Sequence, residues 1–218
     1  MRIAILQFIE SNCDQQLLAV LESLNISLLK MQSLADLADA DGYVILDPLL
    51  DEALLGKLQT LSQDKFFLSF GLGAKTLLAA GLLPGTVQLA SCMTLSHRHP
   101  LQTFMRFKPL YNLNAFTQNL SLKDIIKIDD QPVKFEIPLA LSLELFNQGL
   151  DVFYGCNADG QALDDTPLGL NNKTGNVLAL LPSMIDPAAL RKIFQGLLKP
   201  YLGRIFQPAE PLSYEFRT

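Results

Sequence analysis

The chain has 218 residues, a formal net charge of −5, 49% hydrophobic residues and 18% charged residues. That length suits one α/β domain spanning residues 1–218, and a chain with a net negative charge and no basic block is excluded from electrostatically driven nucleic-acid binding. Its apolar runs are short and interrupted, well below the ~20 residues that cross a membrane, so no membrane role is expected.

Strand-like and helix-like patterns alternate in the first half of the chain. Strands are predicted at Ile3–Phe8, Ser27–Leu29, Tyr43–Leu46 and Phe66–Phe70. Leucine stripes at helical spacing predict helices around 17–24 and 54–61, the first capped by Asp14, and a third helix follows at Lys75–Ala80. This order predicts an α/β sandwich with a mostly parallel central sheet and helices on both faces.

The second half of the chain is less regular. Further strands are predicted at Thr103–Phe107, Val133–Ile137, Val152–Tyr154 and Asn176–Leu181. A turn is predicted at 157–160, and a closing helix at Ala188–Leu198 has Pro187 in its first turn.

The three cysteines, Cys13, Cys92 and Cys156, are far apart and form no C-x-x-C pair. Neither a zinc site nor a disulfide scaffold is therefore expected, and a reducing cytoplasm is the natural compartment.

Four segments, in order along most of the chain, carry a family resemblance. They are Q-F-I-E-S-N-C-D at 7–14, G-Y-V-I-L at 42–46, the strand and elbow from Phe67 to Leu77 closed by A-G-L-L-P-G at 80–85, and the stretch Leu170–Pro182. Together they resemble the glutaminase subunit family of phosphoribosylformylglycinamidine synthase, a group of class I glutamine amidotransferases. The resemblance implies the flavodoxin-like fold of that family.

The family's catalytic triad has no counterpart at the matching positions. Glutamine hydrolysis of this type needs a cysteine thiolate, a histidine base and a carboxylate that orients the histidine. By the resemblance, the cysteine position falls at Gly71, the histidine at Ser183 and the glutamate at Ile185. The chain is therefore interpreted as a degenerate member in which glutaminase catalysis is lost and the fold is retained.

The family's oxyanion segment, P-G-G, falls at Asp47-Pro48-Leu49, and the residue after the nucleophile falls at Leu72. Proline has no N–H to donate to an oxyanion. Glycine at 71 predicts that the strand-to-helix elbow persists with a positive φ. We also expect Leu49, Leu72, Met184 and Ile185 to narrow the space that glutamine would occupy.

Other chemistry on the same fold stays open as an alternative. Cys13 follows a strand at a helix start, where a thiol pKa can be lowered, and His97 with His99 could supply an acid–base pair or two metal ligands. The Gly71–Gly73 turn does not meet phosphate-loop spacing. A ligand-binding role in the old cleft is a third possibility, and no cofactor or metal is expected.

The leading hypothesis is a non-catalytic subunit. The family works as a subunit, so the resemblance implies a protein partner such as the large synthase subunit of purine biosynthesis, or self-association. The low share of charged residues agrees with a surface that another chain covers.

Overall fold

A computed structural model describes residues 1–7, 12–29, 34–83, 104–107, 115–121, 123–128 and 151–203. Within these ranges nine strands form one mixed sheet in the order β2-β1-β3-β4-β9-β8-β7-β5-β6. No helix in the described part of the chain is long and apolar enough to cross a membrane.

Five neighbouring strands form the parallel half of the sheet. They are β1 (Arg2–Leu6), β2 (Ser27–Leu29), β3 (Gly42–Ile45), β4 (Phe66–Phe70) and β9 (Val177–Leu180). Every residue of β3, β4 and β9 is buried. Strands covered on both faces read as continuous apolar runs, and for this reason the sequence pattern located them.

Helices cover both faces of this parallel half. Two 3₁₀ segments, η1 (Leu34–Asp39) and η2 (Gly71–Gly73), accompany four helices: α1 (Asn12–Ser23), α2 (Glu52–Leu61), α3 (Ala74–Ala79) and α4 (Pro187–Gly203). The connections β1-α1-β2 and β3-α2-β4 step in opposite directions along the sheet, so right-handed crossovers place α1 and α2 on opposite faces. In agreement, α1 packs against α4, and α2 packs against η1.

The predicted cap of the first helix was wrong. The helix α1 begins at Asn12, so Asp14 lies inside the first turn rather than before it. Helix ends predicted from single residues commonly err by this margin, because several polar residues in a row can each serve as the cap.

The other half of the sheet is built from antiparallel pairings. It contains β5 (Phe104–Phe107), β6 (Ile125–Lys127), β7 (Asp151–Cys156) and β8 (Ala162–Asn171). Because β5 and β8 alone run against the rest, seven of the nine described strands share one direction. The fold class predicted from the sequence, α/β with a mostly parallel central sheet, is confirmed.

Two strands of this half were not predicted. The strand β8 contains Asp164, Asp165 and Pro167, which hide its pattern, and its register with β7 shifts at several points. The strand β6 has only three residues. The strand predicted at Val133–Ile137 lies outside the described residues.

The strand order decides where a site can form. The strands β3, β4 and β9 are parallel neighbours, so their carboxyl ends meet at one edge of the sheet. The loop after β3, the turn after β4 and the segment after β9 therefore converge there, which is the usual binding edge of an open α/β sheet.

Candidate functional site

The turn after β4 is a sharp strand-to-helix elbow. The strand ends at Phe70, the 3₁₀ turn η2 covers Gly71–Gly73, and α3 begins at Ala74. Gly71 has a φ of +49°, a backbone conformation that residues with a β-carbon rarely adopt. The positive φ predicted for Gly71 is thus confirmed.

Gly73 is required for a different reason, because the elbow lies directly against the end of β3. A β-carbon added at Gly73 would lie 2.1 Å from the carbonyl oxygen of Ile45. Such a contact is impossible without moving backbone, so a side chain at this position would push α3 away from β3.

The segment after β9 runs beside the elbow. The N–H of Gly71 donates a hydrogen bond to the carbonyl oxygen of Pro182 at 2.9 Å. A β-carbon added at Gly71 would lie 3.0 Å from Ser183 Oγ and 3.2 Å from Ser183 Cα. The positions predicted for the nucleophile and the base are therefore adjacent in space, and a side chain at residue 71 would make a tight contact with Ser183.

The position predicted for the orienting carboxylate belongs to the core. Ile185 is fully buried and forms an isolated antiparallel bridge with Ile128, next to β6. An apolar side chain at such a place stabilises the fold by burial. It can neither accept a proton nor orient a histidine.

A carboxylate does follow directly, but both of its oxygens have structural partners. Oδ1 of Asp186 accepts hydrogen bonds from the N–H groups of Ala188 and Ala189, each at 3.0 Å. Oδ2 accepts one from the N–H of Lys127 at 3.2 Å. Asp186 is thus the N-cap of α4, a role that satisfies N–H groups left open in the first helical turn.

The loop after β3 is bound to α3 by a residue that the sequence analysis did not single out. The N–H of Leu49 donates to Thr76 Oγ1 at 2.7 Å, and the Thr76 hydroxyl donates to the carbonyl oxygen of Asp47 at 3.2 Å. Thr76 is fully buried among leucines of a short helix. A buried hydroxyl needs a hydrogen-bond partner. A threonine among the apolar residues of this helix was therefore the one feature of the sequence that could have indicated this contact.

Three of the four apolar residues expected to narrow this region are buried, which fits ordinary core packing as well as a narrowed cleft. Leu49, Met184 and Ile185 are 4%, 2% and 0% exposed, and Leu72 is half-buried.

The side chains of the alternative catalytic residues lie outside the described part of the chain, so their roles stay predictions. The backbone of Cys13 lies in the first turn of α1, but its side chain is not among those described. His97 and His99 lie wholly outside the described residues. The thiol of Cys156 is buried in β7, and burial raises its pKa, which disfavours the nucleophilic thiolate. Among the described residues no group of three His, Cys, Asp or Glu side chains could hold a metal ion.

The sheet order and the helices on both faces define an α/β sandwich of the flavodoxin-like kind. The chain is similar to a chain of the structure of PurLQS from Thermotoga maritima, with a TM-score of 0.56 and 18% sequence identity. The similarity covers 92% of this chain and 98% of that chain. At this identity the likeness shows the fold alone. No protein-family model matches the sequence, and the search of curated proteins found no match.

Proposed function

We propose that this chain is a non-catalytic, glutamine amidotransferase-like subunit, a single cytoplasmic domain that binds a synthase and acts structurally or in regulation. The observation that carries the proposal is the elbow. It keeps the backbone geometry of a nucleophile turn, with φ of +49° at residue 71, but holds glycine there.

The neighbours of the elbow support the loss of catalysis. Ser183 lies against Gly71 where a base would be needed, and its hydroxyl cannot act as that base. A side chain at residue 71 would also be crowded, because an added β-carbon would lie 3.2 Å from Ser183 Cα and the neighbour would have to shift slightly. Removing nucleophile and base together removes nearly all of the rate enhancement of such a catalytic unit.

A protein partner is supported by the retained fold. The structural neighbour PurLQS and the sequence resemblance both suggest the large synthase subunit as the first partner to test. We expect the partner to contact the edge of the sheet that carries the old site, because an exposed apolar side chain lies there. Leu50, beside the loop after β3, is 60% exposed there.

The activity test is ammonia release from glutamine, measured with the chain alone and with the large synthase subunit from the same organism. An intact glutaminase subunit serves as the positive control. We expect release at the background rate in both cases. Release that saturates with glutamine would overturn the proposal, and the variant Cys13→Ser would then show whether Cys13 has become the nucleophile.

The binding test is co-elution with the same synthase subunit in size-exclusion chromatography. We expect a complex that Leu50→Lys weakens. Leu163→Lys is the matched control, since Leu163 is also an exposed leucine, 45% exposed, but lies on β8. Failure of the unaltered chain to bind the synthase would contradict the proposed partner, and equal effects of the two variants would contradict the proposed face.

A further inference from the structure

We infer that Thr76 closes the old oxyanion position from within, by occupying the Leu49 N–H of the loop after β3, which a substrate could otherwise use. The inference rests on the proposed function, because it assigns the Asp47–Leu49 loop the place of the family's oxyanion segment. Thr76 thereby acts as an internal, inhibitory contact.

The hydroxyl of Thr76 is fully used by this loop. It accepts a hydrogen bond from the N–H of Leu49 at 2.7 Å and donates one to the carbonyl oxygen of Asp47 at 3.2 Å. A threonine hydroxyl carries a single hydrogen, which here is committed to Asp47. Thr76 and Leu49 are both buried, so water does not compete for these bonds.

Two of the three residues in the Asp47–Leu49 loop have no backbone N–H free for a developing negative charge. Pro48 has no N–H, and the Leu49 N–H already points at Thr76. A substrate carbonyl that took the Leu49 N–H would leave the Thr76 hydroxyl without its donor inside the protein. The hydroxyl would keep its bond to Asp47 but lose a buried hydrogen bond to Leu49, so the internal contact competes with a substrate for this N–H.

The experiment is amide hydrogen exchange of the full chain, read at Leu49 by NMR. In the unaltered chain we expect the Leu49 N–H to be protected. Thr76→Val keeps the side-chain shape but removes the hydroxyl, and it should speed exchange at Leu49 roughly tenfold, the effect of losing one buried hydrogen bond. Thr76→Ser keeps the hydroxyl and should leave the Leu49 rate close to that of the unaltered chain.

The N–H of Gly71 is the internal reference, because it bonds to Pro182 and has no contact with the Thr76 hydroxyl. Its exchange rate should stay unchanged in Thr76→Val. An unprotected Leu49 N–H in the unaltered chain would overturn the inference without any variant. So would equal acceleration at Leu49 and Gly71, or loss of Leu49 protection in a folded Thr76→Ser.

The exchange result is independent of the activity result. Glutamine hydrolysis by the unaltered chain would overturn the proposed function even if the exchange rate of the Leu49 N–H rises when the Thr76 hydroxyl is removed. An unchanged Leu49 rate in Thr76→Val would overturn the internal contact even if the chain hydrolyses no glutamine.

Discussion

Two glycines of one turn are held by different physical requirements. Gly71 needs a backbone conformation that costs other residues about 1–2 kcal/mol, whereas Gly73 has an ordinary helical φ of −58° but no room for a side chain. The first requirement is mainly conformational, with a tight contact to Ser183 added, and the second is steric. Substitution by alanine separates them.

We expect Gly71→Ala to lower the free energy of unfolding by about 1–2 kcal/mol, and Gly73→Ala by roughly 3 kcal/mol or more, since backbone must move. Gly56→Ala is the matched control. Gly56 is exposed in the middle of α2 with nothing within 4 Å of an added β-carbon, so this change should raise stability by about 0.5–1 kcal/mol. Urea unfolding measures all three, and a harmless Gly73→Ala would contradict the packing described at Ile45.

Restoring the triad should not restore catalysis. In the variant Gly71→Cys, Ser183→His, Ile185→Glu, the new β-carbon at residue 71 would lie 3.2 Å from the Cα of residue 183, and the glutamate would replace a fully buried isoleucine. Burying an unpaired carboxylate is unfavourable, and one missing oxyanion donor alone lowers the rate by about 10²–10³. We expect no ammonia release and a lower melting temperature. Robust glutamine turnover in the triple variant would show that oxyanion donors remain.

Tyr43 makes stability depend on alkaline pH. Burial, with smaller contributions from Asp41 and Asp39, raises the pKa of Tyr43 from 10.0 to about 12, and its hydroxyl donates a hydrogen bond to the carbonyl oxygen of Leu37. Between pH 10 and about 12 the folded state therefore keeps the phenol proton, whereas the unfolded chain loses it. The resulting stability is complete below pH 10 and is lost as pH rises through about 12.

Over that interval we expect the free energy of unfolding to fall by up to about 1.4 kcal/mol per pH unit. Tyr43→Phe should remove this part of the slope. The raised pKa of the Cys156 thiol acts in the same direction and remains in the variant, so the informative quantity is the difference between the two curves. Parallel curves above pH 10 would contradict the assigned pKa.

At the scale of elements, one asparagine fastens the turn before β9 to its neighbours. The amide nitrogen of Asn176 donates to the carbonyl oxygens of Ser62 and Lys65, each at 2.7 Å, which joins the turn to the end of α2 and the start of β4. Its side-chain oxygen accepts hydrogen bonds from Asn172 and Thr174. Asn176 is 4% exposed, so water replaces these bonds poorly.

Asn176→Asp should therefore be strongly destabilising, by about 2–4 kcal/mol, because a carboxylate would face two carbonyl oxygens with no proton to donate. Thr174→Val is the control, since Thr174 is exposed and touches the same oxygen, and it should cost less than about 1 kcal/mol. Thermal or urea unfolding compares them. Equal losses in the free energy of unfolding for the two variants would mean that the two hydrogen bonds donated by Asn176 contribute nothing.

At the scale of the whole molecule, a half-apolar chain with 18% charged residues is expected to meet another chain. Sedimentation velocity should show either a species larger than the 24.1 kDa monomer or a complex with the synthase subunit. A strict monomer that binds no synthase would contradict both self-association and the complex with the synthase subunit. Raising the salt concentration should change the association little, because the expected contact is apolar rather than ionic.

The parallel half of the sheet could be predicted from the sequence better than the antiparallel half. The strands β3, β4 and β9 could be predicted because both of their faces are buried, which demands uninterrupted apolar residues. The strand β8 could not, because carboxylates and a proline interrupt it and its pairing with β7 is irregular. The order of the nine strands came only from the structure, since local pattern carries no information about distant pairing partners.

By itself the sequence determined the α/β class, which depends on local pattern. The elbow and the positive φ of Gly71 were predicted from the family resemblance together with the conformational freedom of glycine. Tertiary structure alone decided that Ser183 lies against Gly71, that Asp186 caps a helix, and that Thr76 occupies the Leu49 N–H. These contacts join residues brought together by the parallel pairing of β3, β4 and β9. Pairing of that kind depends on the packing of the whole sheet, and so no single stretch of sequence encodes it.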